Sequence, residues 1–169
     1  MGFFSDRANN KRIAITKEFV FDTIRRLDYV VTREKLSQFI KLKESSEILY
    51  AYLYGIAIYT WSVRVTTIDR EDYTTIFDIV DEALNESGIN IPRHLDLGSD
   101  YDEISSGFND IFAESIGINS VCTAEDIISS VDADFQSIGV HYARAYGRND
   151  MELAKIYFVK LINTIDEVV

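Results

Sequence analysis

With 169 residues, 47% of them hydrophobic and 27% charged, the chain is long enough to bury one hydrophobic core and has an ordinary globular composition. These values exclude collagen-like, low-complexity and disordered chains, in which too little apolar surface can be buried to offset the entropy of ordering. The formal net charge of −11 sits mostly in one region: residues 69–134 carry seventeen Asp or Glu against Arg70 and Arg93, a net of −15.

Outside that region the balance reverses. Residues 1–47 carry ten Lys or Arg against seven Asp or Glu, and the last 35 residues balance at four against four. Direct nucleic-acid binding needs Lys and Arg to displace counterions from phosphates, and an anionic membrane surface likewise selects basic segments, so neither partner is expected. The single cysteine, Cys122, cannot form an internal disulfide and fits a reducing, cytoplasmic setting. The N-terminal sequence lacks a basic stretch followed by a long apolar run, so no secretory signal is expected. The myristoylation pattern fails because Asp6 occupies the place of the required Ser or Thr. The longest uncharged run, 48–63, contains four tyrosines and is too short for a hydrocarbon core of about 30 Å.

Pro92 is the only proline, and most of the eight glycines read as element ends, so helix is the default along the chain. The first expected helix covers 13–28, with Phe19, Val20, Ile24 and Leu27 at helical spacing. Thr32 caps a second, 33–42, whose Leu36, Phe39 and Ile40 share a side. The third, 46–65, is apolar on every face and is expected at the centre of the fold. Its Tyr50, Tyr52, Tyr54, Ile56 and Ile58 also alternate with period two, so a strand over 48–63 is the competing reading. Asp69 with Asp72 approximates a capping box for the fourth helix, in which Tyr73, Ile76, Phe77, Val80 and Leu84 repeat helically up to Gly88.

A short loop containing Pro92 leads to a fifth helix, 99–116, with Tyr101, Ile104, Phe108, Ile111 and Phe112 turned inward. Thr123 and Asp126 suggest the cap of a sixth helix running to Gly147, with a core stripe through Ile128, Val131, Phe135, Ile138, Tyr142 and Ala145. Asn149 and Glu152 suggest the cap of a seventh, whose broad apolar surface points to burial by neighbours or by a second copy of the chain. No second copy of the 139–158 hairpin recurs at a repeat spacing of about 34 residues, so a solenoid is not expected. The expected fold is all-α: one compact domain over 1–169, a bundle of six or seven helices packed around the third and the seventh.

Chemistry is sparse. Asp78, Glu82 and Glu86 follow i, i+4, i+8 on the fourth helix with Asp81 beside them, and Glu103, Asp110 and Glu114 line up on the fifth. Two such stripes could bind Mg²⁺ through oxygen ligands, but both lie opposite the apolar stripes, where a helix keeps its solvated charges. Ser137, His141 and Asp134 include the residue types of a hydrolase triad. All three would hang from one helix with no strained nucleophile turn, so a polar surface cluster is the expectation. His94 lacks a motif, and Cys122 near a helix start reads as an incidental thiol. No phosphate loop, zinc spacing, EF-hand or dinucleotide fingerprint is present, so no catalytic residue, metal ligand or cofactor is assigned. The expected function is a non-catalytic protein-binding module of inhibitor, immunity or adaptor type. Its Asp78, Asp81, Glu82, Glu86, Glu103, Asp110 and Glu114 would engage a basic surface on a partner protein. The alternatives are a Mg²⁺-dependent phosphohydrolase built on the same stripes, or an inhibitor that mimics nucleic-acid phosphates. A homodimer through the last helix is a further expectation.

Overall fold

The computed structural model describes residues 3–91, 97–116, 121–129 and 134–169. These form eight helices and no strand: α1 (Phe3–Val31), α2 (Arg33–Phe39), α3 (Lys43–Ser62), α4 (Arg70–Glu86), α5 (Leu97–Ile116), α6 (Val121–Ile128), α7 (Phe135–Gly147) and α8 (Met151–Val168). The all-α bundle expected from the sequence is thus the fold. α3 is its axis, contacted by α1, α4 and α7, while α8 packs on α7, α6, α1 and α2.

The alternation of aromatics in 48–63 does not make a strand. Three neighbouring helices surround α3, so side chains on all its faces find apolar partners, and Tyr52, Leu53, Ile56, Ile58 and Trp61 are all fully buried. Tyr54 stacks on Phe77 of α4 at 4.5 Å between ring centroids, and Tyr52 meets Tyr142 of α7 at 5.8 Å. Tertiary packing of this kind outweighs the β preference of aromatic and branched residues.

The closest partner of α3 is α7, not the C-terminal helix paired with it in the sequence reading, and two glycines explain why. A Cβ on Gly55 would lie 2.2 Å from the carbonyl oxygen of Gln136, and one on Gly139 would lie 2.1 Å from that of Tyr52. Each helix therefore presses its backbone into the gap left by the other's missing side chain. Both glycines lie inside helices, as expected from the sequence, and not at element ends. α8 still contributes Leu153, Tyr157, Leu161 and Ile165 to the core, but from the outer layer.

Helix ends correct the expected boundaries. Asp69 and Asp72 do form the capping box of α4, each side chain accepting from the other's backbone N–H at 2.9 and 3.0 Å. Gly88, at φ 73°, ends that helix with Ile89 N–H donating back to Leu84. Asn149, at φ 60°, does the same for α7, with Asp150 N–H donating to Ala145, so Asn149 closes one helix and Asp150 opens the next. The single helix expected up to Gly147 is two, α6 and α7. Asp134 starts α7 by accepting from Gln136 N–H at 3.0 Å, which a helix-interior Asp could not do. Thr123 lies inside α6 and does not precede it, and Val131 lies outside the described residues. α1 extends ten residues earlier than expected.

Candidate functional site

On α4 the apolar residues Ile76, Phe77, Val80, Ala83 and Leu84 are buried, which turns the intervening carboxylates outward. Asp78, Glu82 and Glu86 are exposed and Asp81 is half-buried. The protein's own cations reach part of this stripe. Lys17 of α1 places its Nζ 2.6 Å from Glu86 Oε1 and 3.3 Å from Glu82 Oε2. The hydrogen bond to Glu86 is the largest influence raising the ammonium pKa above its usual value. Asp81 accepts from the Tyr50 hydroxyl at 2.8 Å, which ties it to the core beneath. The sequence reading missed Lys17 because 69 residues separate it from Glu86, and helix spacing carries no signal for such a pair. With Glu82 and Glu86 side chains 60% and 54% exposed, the pair is a surface contact that contributes little to stability and that an incoming cation can replace.

On α5, Ile104, Phe108 and Ser115 are buried and Glu103, Asp110 and Glu114 are exposed. Those three carboxylates make no ion pair among the described residues. Neither do the acids of α4 and α5 converge: among the described residues no three His, Cys, Asp or Glu side chains gather as a metal-ligand set. α4 and α5 touch, but they present their acids to solvent and not to each other's interior.

Ser137 and His141 do meet, and they are not at the surface. Ser137 Oγ lies 3.1 Å from His141 Nε2, with the serine 8% and the histidine 3% exposed. The ring packs 5.4 Å from that of Tyr157. Burial, assisted by the Arg144 charge, lowers the imidazole pKa from 6.5 to about 4, so the ring is neutral at ordinary pH. Asp134 takes no part in it. Its carboxylate is committed to the start of α7, and His141 Nδ1 has no partner among the described residues. A serine–histidine pair without an orienting acid and without access from solvent is a core contact, not a nucleophile and base. Cys122 and His94 belong to residues whose side chains lie outside the description.

Open clefts flank the bundle among the described residues, two of them on different sides of it. One, of about 410 Å³, lies between the α3–α4 connection and α5, with Phe108 and Phe112 beside Ser62, Thr66, Ser105 and Asn109. The other, of about 510 Å³, lies between α1 and α8. No helix among the described residues is long and apolar enough to cross a membrane. No family model, curated protein or solved structure matches the chain.

Proposed function

We propose that the protein is a non-catalytic binding module whose acidic face, formed by α4 and α5, engages a basic surface on another protein. The observation that carries this reading is the outward set of carboxylates on two adjacent helices: Asp78, Glu82 and Glu86 on one, Glu103, Asp110 and Glu114 on the other. Asp81 borders the set, held by Tyr50. Clustered like charge of this kind accelerates encounter with an oppositely charged partner and selects among partners more than it adds affinity. Lys17 satisfies Glu82 and Glu86 in the free protein, and a partner's lysine or arginine would take over those contacts. The phosphohydrolase alternative draws no support from the described residues, whose acids do not converge.

The test is affinity purification from the native cell with three baits: the wild type, Asp78→Lys with Glu82→Lys, and Asp110→Lys with Glu114→Lys. The expected result is a basic protein held by the wild type, released by salt and lost from both variants. A partner retained by all three baits at high salt would refute the reading. Release by duplex DNA of a partner that the wild type holds and both variants lose would identify the acidic face as a nucleic-acid mimic.

A further inference from the structure

A smaller cleft, of about 220 Å³, opens where α3 and α7 end beside α1, and no residue of the acidic helices α4 and α5 lines it. In a chain of net charge −11 its described lining holds two arginines, Arg64 and Arg148, and no Asp or Glu. Neither guanidinium makes an ion pair among the described residues. Arg64 is oriented by donating from one nitrogen to the Thr60 carbonyl at 2.7 Å, which leaves the rest of its fork for another acceptor. The C-terminal end of each helix carries about half a negative charge, so the two ends offset about one of the two positive charges and leave about one unmatched. The other walls are aromatic and fixed in advance. Phe19 meets Tyr146 edge-on at 5.2 Å, and Tyr59 stacks on Phe112 at 6.1 Å. Burial raises the Tyr59 pKa while the Arg144 and Arg148 charges oppose the rise, so a protonated hydroxyl stands beside positive charge. At Gly147 an added Cβ would meet nothing within 4 Å, so the missing side chain leaves part of the space.

We infer that this cleft binds a small aromatic anion, a single ring carrying a carboxylate or a phosphate group. The acid group faces Arg64 and Arg148, which donate charge-assisted hydrogen bonds to it, and the ring lies against Phe19 and Tyr59. Size and charge together select this class. The volume equals about seven waters at about 30 Å³ each, which one substituted ring fills and a nucleotide overfills. An inorganic anion would leave the aromatic walls unused, and a neutral ring would leave both guanidiniums without an acceptor. The long-range field of so acidic a chain opposes anions, and a ligand this small makes few contacts, so the dissociation constant expected is about 0.1–1 mM. The inference is independent of the acidic face, with which the cleft shares no residue.

The test is titration of the isotope-labelled full chain with phenyl phosphate and with phenylacetate, followed by amide NMR, which reads affinity and place at once. Saturable shifts are expected at Tyr59, Arg64, Gly147 and Arg148, and whichever probe binds tighter names the acid group. Inorganic phosphate and benzyl alcohol, which carry the charge and the ring separately, should each bind at least about tenfold more weakly. Arg64→Gln with Arg148→Gln, at exposed positions on which the fold does not depend, should weaken phenyl phosphate at least about tenfold. Gly147→Leu fills the space without a clash and should abolish binding while the helical circular dichroism stays as in the wild type. Any of three results overturns the inference: no shift with either probe up to about 10 mM, an affinity unchanged by both variants, or inorganic phosphate binding as tightly as phenyl phosphate. None of them bears on the partner of the acidic face, which the affinity purification reads separately.

Discussion

Replacing Gly139 by alanine builds a Cβ 2.1 Å from the Tyr52 carbonyl oxygen, 3.0 Å from its carbon and 3.2 Å from its Cα. All three atoms are backbone of α3, so no rotamer change relieves the overlap, and α3 and α7 must part by about 1 Å along their contact to restore ordinary spacing. Overpacking of a close-packed core costs typically about 1–3 kcal/mol, and a rigid backbone neighbour puts this site at the upper end. Alanine returns about 1 kcal/mol through its better helix propensity, which leaves a net loss of about 2 kcal/mol. For a chain of this length that is a fall in Tm of about 4–8 °C. Gly107, inside α5, meets nothing within 4 Å of an added Cβ, so Gly107→Ala isolates the propensity term and is expected to raise Tm by about 2–4 °C. Gly55→Ala, with Gln136 O at 2.2 Å, should resemble Gly139→Ala. The double variant should lose less than the sum, because helices already parted by one methyl accommodate the second. Thermal unfolding followed by circular dichroism reads all four. A Gly139→Ala protein that melts at or above the wild-type temperature would refute the close helix crossing.

Acidification supplies a second test. The folded state holds the His141 pKa near 4 against 6.5 when unfolded, so the unfolded chain binds the proton first. Stability therefore carries no His141 penalty above pH 6.5, falls as pH drops below it, and levels off near pH 4 with a loss of about 3 kcal/mol. His141→Leu should flatten the urea-unfolding free energy across that window, and an unchanged slope would show that the ring is not buried neutral. Asp69→Ala removes the side-chain half of the α4 capping box and should cost about 1 kcal/mol by the same denaturation assay; a loss below about 0.3 kcal/mol would argue against the cap. Lys17→Met should change stability by less than about 1 kcal/mol, since its ion pairs are exposed, and a larger loss would mean that they hold α1 to α4.

Much of the fold is legible residue by residue. The Tyr73, Ile76, Phe77, Val80, Leu84 spacing and the Asp69–Asp72 pair specify α4 because both signals are local and agree. The all-round apolarity of 46–65 marks the central element, but its period-two alternation kept a strand in competition, and only packing against neighbouring helices decides for helix. What escapes the sequence is non-local or ambiguous. Gly55 and Gly139 lie 84 positions apart, and only the meeting of their helices reveals them as points of close backbone approach. Asn149 followed by Asp150 offers two cap residues in a row, and assigning them needs the left-handed φ of the first. Ser137 and His141 are polar types on a helix, which spacing alone puts on the surface, yet they satisfy each other inside the core. For the acidic face, the outward direction of Asp78, Glu82 and Glu86 followed from the apolar stripe opposite. The hold of Lys17 on two of them did not, since its partners depend on how α1 lies against α4.

The association rate of the purified partner with this protein, measured by stopped flow at salt concentrations from about 50 to 500 mM, bears most directly on the acidic face as a docking surface. Steering by exposed carboxylates predicts a rate that falls at least tenfold over that range and that Asp110→Lys with Glu114→Lys lowers at low salt while leaving dissociation less affected. A rate indifferent both to salt and to those two substitutions would contradict it.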